Sequence, residues 1–420
     1  MCRRWWTAFI VLVTSTLSRP TTPESRALGP DLARGFMLLF IALANSHYFL
    51  RGSSVLGGYP RDGSGADAAV IWLISTFVDG RAFPMFGLLF GYGAAQIVRR
   101  NEALGPRSVR HLLWRRGAVL VTVGFLHAVL LYAGDILSAY GVLLLVGAWL
   151  VRWKDSRLLV TAFLFFLLTA LPSGAFSTIS TDPPDVSMLP PNVGTMIAER
   201  AQVSSFIALL GPVGFVCPFA VGLWAGRRRI LEQPELHRTF LLVTASVGIG
   251  AAVLGAQPIS LVLAGAETPP DQQSLEFLAA LHSATGVLGG FGYASLLSLA
   301  AVRPQFPERP RPVVDAIAAV GQRSMTCYLA QSVVWTVAFT PFLLDLSGTL
   351  SATATAGLAI TTWLLTVVLA DRMRRAGRRG PFEVLIRAVT YHQSPNRSLH
   401  RQSDGLSPDR DRVMITEADR

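Results

Sequence analysis

Gly124-Phe-Leu-His127-Ala-Val-Leu-Leu-Tyr132-Ala-Gly-Asp135-Ile-Leu-Ser-Ala-Tyr140-Gly141 sets a histidine and an aspartate inside an apolar run that continues to Leu150. An ionisable group at bilayer depth costs ~2.5–3.5 kcal/mol even on lenient insertion scales, so such groups face a protein interior or a wet cavity. The surrounding sequence identifies the run as bilayer depth.

Of the 420 residues, 51% are hydrophobic and 15% charged, with a mean hydropathy of +0.45. A soluble domain carries about a quarter charged residues. Several apolar runs approach the roughly 20 residues that cross a bilayer as a helix. They are continuous rather than alternating, which predicts helices and not a barrel. The fold class is therefore all-α, a polytopic transmembrane helical bundle embedded in a lipid bilayer. The net charge of +11 is spread over short loops, as at Arg99-Arg100, Arg110 to Arg116, Arg227 to Arg229 and Arg372 to Arg379. That is the positive-inside pattern, not a nucleic-acid surface, and no nucleic-acid partner is expected. Lys154 is the single lysine, which points to a GC-rich genome. Cys2, Cys217 and Cys327 form no CxxC pair and no metal-ligand spacing, so neither a disulfide framework nor a metal site is expected.

Ten spans follow, at about 32–50, 70–98, 112–131, 136–151, 158–174, 203–225, 239–264, 275–302, 314–340 and 351–371. The second is long and should break near Asp79-Gly80-Arg81. Basic loops alternate with acidic or charge-poor ones, and this places both termini in the cytoplasm of a multi-pass protein of the bacterial plasma membrane. Residues 1–30 read as an N-terminal extension with an interfacial helix, 31–392 as the transmembrane domain, and 393–420 as a disordered cytoplasmic tail. The loop 175–202 carries Pro183-Pro184 and Pro190-Pro191, which favour irregular structure.

This orientation puts His47, Asp79, Arg81, His127, Asp135, His282 and Gln331 at similar depth toward the outer side, from six spans. His127 and Asp135 flank a tight turn where Gly134 allows the reversal. A hydrogen bond closing the hairpin accounts for the pair as well as catalysis does. In the catalytic alternative Asp135 orients the imidazole and raises its basicity. His47, after Asn45, is a further base candidate. Asp79 and Arg81 are expected to neutralise each other, and His282 to be a packing histidine. Phe86-Gly87-Leu-Leu-Phe90-Gly91-Tyr92-Gly93 is a glycine-spaced face suited to close helix packing. Asp31 and Arg34 lie three apart on one helix face at the inner end of the first span, as an ion pair or as an anchor for an anionic cytosolic group.

Several segments together resemble a known family. Asp31-Leu-Ala-Arg34-Gly35-Phe36 with Asn45 is similar to the D-x-x-R-G opening of YeiB-like membrane proteins, catalogued as domain of unknown function 418. Phe86 to Gly93 resembles their F-x-x-L-F-G-x-G segment. Arg115-Arg116, Gly124-Phe-Leu-His127 and Gly134-Asp135-Ile-Leu-x-x-Tyr140 resemble their central hairpin. Gly321-Gln-Arg323-Ser-Met-Thr326-Cys-Tyr328-Leu-Ala-Gln331-Ser332 and Gly380-Pro381-x-Glu383-x-x-x-Arg387-x-x-Thr390-Tyr391 resemble their two C-terminal signatures, with Cys327 where the pattern has Asn or Ser. The likeness runs from about residue 26 to 392. It implies an inner-membrane protein, sometimes labelled a transporter. The opening is also similar to membrane acyltransferases of the heparan-glucosaminide acetyltransferase type, which move an acyl group from a cytosolic donor across the bilayer by means of a histidine.

Acyl transfer to an extracytoplasmic or lipid acceptor is the leading functional expectation. His127, Asp135 and His47 would be catalytic, and Asn45, Asp79, Arg81, Tyr140, His282, Tyr328 and Gln331 would bind substrate. Asp31 and Arg34 would hold the donor, an acyl-coenzyme A thioester, with no permanently bound cofactor. A permease for a small metabolite is the alternative, favoured by paired broken helices, and the sequence offers no second break to match Asp79-Gly80. A structural or assembly role, or a homo-oligomer, is compatible with the same composition.

Overall fold

The computed structural model describes residues 27–172, 179–302 and 311–390. Most of the N-terminal extension and the whole C-terminal tail lie outside the described residues. The chain is an all-α membrane protein. α1 spans Leu28–Ser46 and so begins three residues before the expected boundary at Asp31. A 3-10 turn, His47–Phe49, follows it. A short antiparallel hairpin, β1 Val55–Leu56 and β2 Tyr59–Pro60, was not anticipated from the apolar pattern. α2 Gly65–Phe77 starts on a reciprocal cap in which Ser64 Oγ accepts from Asp67 N and the Asp67 carboxylate accepts from Ser64 N.

The expected break in the second span is present. α2 ends at Phe77 and α3, Ala82–Arg100, starts after residues 78–81. Gly80 has φ +75° there and faces the His282 ring, a left-handed conformation that glycine alone adopts without steric cost. α4 Pro106–Leu130 and α5 Leu137–Leu150 form the hairpin on which the opening stretch falls. α6 Asp155–Ala170, α7 Val193–Arg227, α8 Arg238–Leu263 and α9 Gln272–Ala300 follow. Part of the loop expected at 175–202 is thus helical, since α7 begins at Val193. α10 Pro312–Gln322, α11 Ser324–Phe339, α12 Ala352–Arg375 and α13 Pro381–Thr390 complete the described chain.

Among the described residues, seven stretches are long and apolar enough to cross a membrane by length and composition: α1, α2 with α3, α4, α7, α8, α9 and α12. The other three expected spans are shorter elements. α5 and α6 have 14 and 16 residues, and the run 314–340 is divided at Arg323 into α10 and α11. A second break therefore exists where the sequence offered none. Leu209, Leu254 and Leu365 are each more than 60% exposed, an apolar outer surface suited to lipid.

Glycines set the closest helix contacts. A Cβ on Gly91 would lie 2.1 Å from the Phe219 carbonyl oxygen, and one on Gly222 would lie 2.1 Å from that of Leu88. α3 and α7 thus meet backbone to backbone, and the Phe86 to Gly93 face is a packing face. α1 and α10 interlock in the same way. A Cβ on Gly35 would lie 2.0 Å from the Ile317 oxygen, and one on Gly321 would lie 1.8 Å from the Asp31 oxygen. Trp363 Nε1 of α12 donates to the Gly35 carbonyl at 3.0 Å and fastens the third helix to this pair.

Candidate functional site

The α4–α5 turn brings His127 and Asp135 together. His127 Nδ1 lies 2.8 Å from Asp135 Oδ1, and both side chains are fully buried. A carboxylate only accepts, so Nδ1 donates to it, and in the neutral tautomer this contact selects, the lone pair would sit on Nε2. Nε2 is buried without a hydrogen-bond partner. Asp135 Oδ2 accepts from Leu137 N at 2.9 Å and Ser138 N at 3.2 Å, which satisfies donors that the start of α5 would otherwise leave orphaned. One carboxylate thereby fixes the turn and orients the imidazole. Gly134 is required for space rather than for a left-handed conformation, because a Cβ there would lie 2.8 Å from the Tyr132 ring.

Tyr328 of α11 closes the group. Its hydroxyl donates to Asp135 Oδ1 at 3.3 Å and its ring centroid is 5.0 Å from that of His127. Gln331 lies one turn further along α11 and is buried, with neither amide atom partnered. Five residues on, Thr336 Oγ1 donates to the Leu131 carbonyl at 2.8 Å. Along α11, Gln331 falls between Tyr328 and Thr336, the two residues that contact His127 and Leu131. Each unpaired buried polar group costs about 1–3 kcal/mol, so His127 Nε2 and the Gln331 amide are each points where a polar ligand or water would gain.

A second polar group lies beside it. His47 stacks on Tyr59 at 4.0 Å between ring centroids, and Tyr59 donates to Asp79 Oδ2 at 2.7 Å. Burial, with the Asp79 carboxylate next, holds the Tyr59 phenol well above its usual pKa. Arg81 is fully buried. It donates to the main-chain carbonyl of Asp79 rather than to its carboxylate, and to the Ala252 carbonyl at 2.6 Å, with His282 Nε2 2.6 Å away. The expected Asp79–Arg81 neutralisation is thus not a side-chain ion pair, and His282 is an Arg81 neighbour rather than a packing residue on its own. Tyr59→Phe should strip Asp79 of its hydroxyl donor and cost about 1–3 kcal/mol, read as a lower thermal midpoint of the purified protein.

Tyr48 and Tyr132 connect the two groups. Tyr48 packs on His47 at 4.2 Å. The Tyr132 phenol is raised first by burial, then by Tyr48 and by Asp135. Arg200 of α7 supports the turn from the other side. It is buried and donates through Nε to the Ser187 carbonyl at 2.8 Å and through a terminal nitrogen to that of Leu131 at 3.0 Å.

Other candidates lie apart. Tyr140 is buried in an aromatic cluster with Phe86, Phe90 and Phe215, and its hydroxyl donates to the Phe83 carbonyl at 3.3 Å. Asn45 is buried in the last turn of α1. Asp31 and Arg34 form an ion pair at 3.2 Å, and Arg34 also donates to the Leu89 carbonyl. At 1.5 Å per residue Asp31 lies about 24 Å and Arg34 about 20 Å along the helix from His47. Gly29, two residues before Asp31, packs on Leu231, next to Glu232, which bridges Arg99 at 2.6 Å. The Asp31–Arg34 pair therefore sits at the arginine-rich end. A depression of about 340 Å³ at Leu104, Pro106, Arg107, Arg110 and Arg152 adds positive charge beside Arg110, which stacks on Trp149. Among the described residues no group of three or more His, Cys, Asp or Glu could hold a metal.

Tyr59 and Arg200 were missed as contributors to these contacts. Arg200 falls in the stretch read as the loop 175–202, beside Glu199, so it carried no periodic or intramembrane signal. Comparison with known proteins gives relatives without an assigned activity. The chain is 26% identical to the uncharacterized protein YxaH of Bacillus subtilis (strain 168), over 89% of this chain and 96% of that protein. It is 23% identical to an uncharacterized 39.9 kDa protein in the amylase 3'region of Bacillus acidopullulyticus, over 92% and 99%. Residues 225–393, from the end of α7 through α13, match the family model described as protein of unknown function DUF418.

Proposed function

We propose that the protein is a transmembrane acyltransferase in which His127 acts as general base. The observation that carries this is the His127–Asp135 pair. A buried carboxylate fixes the Nδ1–H tautomer and leaves the Nε2 lone pair unpartnered, as a base requires. Nε2 would take the proton from an acceptor hydroxyl or amine as that atom attacks the acyl carbonyl. The thiolate of an acyl-coenzyme A donor would leave and collect the proton. Gln331 and Tyr328 would border the acceptor, with the group of His47, Asp79, Arg81 and His282 next to it. Arg34 is already engaged by Asp31, so the arginines around the 340 Å³ depression supply more of the charge for the donor's phosphates. The arginine-rich end faces the cytoplasm in this reading, within a bacterial plasma membrane. The resemblance of the opening segment to heparan-glucosaminide-type acyltransferases favours acyl transfer.

Metabolite and lipid profiling of a deletion strain would identify the missing acylated product. Complementation with His127→Gln should then restore less than about a hundredth of it, the scale of general-base loss. Full product from both His127→Gln and His47→Gln would refute the assignment. Transport is the second reading, and the observation in its favour is the pair of breaks at residues 78–81 and at Arg323. Substrate-dependent uptake by proteoliposomes, with no acylated product, would select it.

A further inference from the structure

The C-terminal signature Gly380-Pro381-Phe382-Glu383 docks onto the break between α10 and α11. Because α10 stops at Gln322, the first N–H groups of α11 have no helical acceptors. Glu383 Oε1 accepts from Met325 N at 2.8 Å and Thr326 N at 3.2 Å, and Oε2 accepts from Thr326 Oγ1 at 2.6 Å. Phe382 N donates back to Thr326 Oγ1 at 3.3 Å. Arg323 crosses the same gap, donating to the Arg378 carbonyl at 2.6 Å. A side chain on Gly380 would collide with Glu383 Oε2, so the glycine is what lets the carboxylate fold back. A carboxylate at a helix N-terminus is further favoured by the helix dipole.

α13 packs on α4 and α11. Its buried Ile386 shares a core with Leu113 and Leu120 of α4. These are the helices that carry His127 and Tyr328. Tyr328 lies two residues beyond Thr326, so the end of α11 that Glu383 holds is the end that delivers the Tyr328 hydroxyl to Asp135.

We propose that Glu383 is a positioning residue for the His127–Asp135–Tyr328 group, acting through the first turn of α11. Its consequence for turnover rests on His127 being the base; the positioning itself does not. When Glu383 no longer holds α11, Tyr328 withdraws its hydroxyl from Asp135 Oδ1. The carboxylate then accepts more strongly from His127 Nδ1–H.

The test uses the purified full chain in detergent, labelled with ¹⁵N-histidine, and reads the His127 Nδ1–H proton resonance. That resonance is assigned by its loss in His127→Gln. Tyr328→Phe should move it downfield, and Glu383→Ala should produce the same displacement. Glu383→Gln, whose side-chain carbonyl still accepts from the two N–H groups, should leave it in place. In the Tyr328→Phe background, Glu383→Ala should add no further displacement. A Glu383→Ala protein with lowered thermal stability and an unmoved resonance would overturn the proposal, reducing Glu383 to a structural cap. If Glu383→Ala does not accumulate, Thr326→Val removes the 2.6 Å bond and the Phe382 N–H contact to the same oxygen, while the Met325 and residue-326 N–H groups keep Glu383. A smaller displacement in the same direction then supports the proposal, and none overturns it. Full acylated product from His127→Gln would remove the catalytic reading and leave these spectra unaffected.

Discussion

Asp135→Ala should yield little folded protein, whereas Asp135→Asn should fold and be inactive. The alanine removes two contributions at once. It leaves the buried Nδ1–H of His127 without an acceptor, and an unsatisfied buried polar group costs about 1–3 kcal/mol. It also frees the Leu137 and Ser138 N–H groups that Oδ2 holds at 2.9 and 3.2 Å, a capping loss of ~1 kcal/mol. Asparagine can keep its carbonyl on those two N–H groups while turning its amide toward His127. The amide donates, so the ring must accept at Nδ1 and carry its proton on Nε2. The base would then have no lone pair where the acceptor lies, and loss of activity by orders of magnitude follows, as for other imidazoles held in the wrong tautomer. Thermal unfolding of both variants, beside the product assay, separates the two effects. A stable, fully active Asp135→Asn would show that the pair only closes the turn.

Gly321→Ala and Gly35→Ala should be among the most damaging single methyl additions in the chain. Each places a Cβ within about 2 Å of a main-chain oxygen on the facing helix, and backbone cannot rotate away as a side chain does. Overpacking of side chains costs about 1–3 kcal/mol; these two should meet or exceed the upper end. The double variant should cost less than the sum, because one separation of α1 from α10 relieves both collisions. Gly357→Ala in α12 is the control. Nothing lies within 4 Å of its Cβ, and alanine is the better helix former by about 1 kcal/mol. Its thermal midpoint should be unchanged or raised.

The hairpin was legible in the sequence because both partners lie within eight residues, on either side of a turn that the apolar pattern marks. Helical period and turn position together almost force His127 and Asp135 into contact. Tyr328 was legible only as a candidate. Its hydroxyl reaches Asp135 across 193 positions, and that depends on where α11 packs. The break at Arg323 was hidden for a related reason. Residues 314–340 read as one apolar run, and the cap that makes the interruption tolerable comes from Glu383. Tyr59 sits between Gly58 and Pro60, a setting that reads as loop, so its bond to Asp79 had no periodic signature. Tyr140 misled in the opposite direction. A tyrosine hydroxyl near the hairpin suggests chemistry, but three aromatic rings and a main-chain carbonyl occupy it.

The α1–α10 interlock also acts as a register key. Side-chain packing tolerates a helix sliding by a fraction of a turn, but two main-chain contacts without room for a methyl do not. Moving α10 by one residue would bring Val320 or Gln322 against the Asp31 carbonyl, where neither fits. The height of α10 in the bundle is therefore gauged from Asp31, and with it the level at which the helix stops and α11 begins. Tyr328 lies a fixed number of residues above that level. The D-x-x-R-G opening thus measures out, from the arginine-rich end, how far a hydroxyl must travel to meet Asp135.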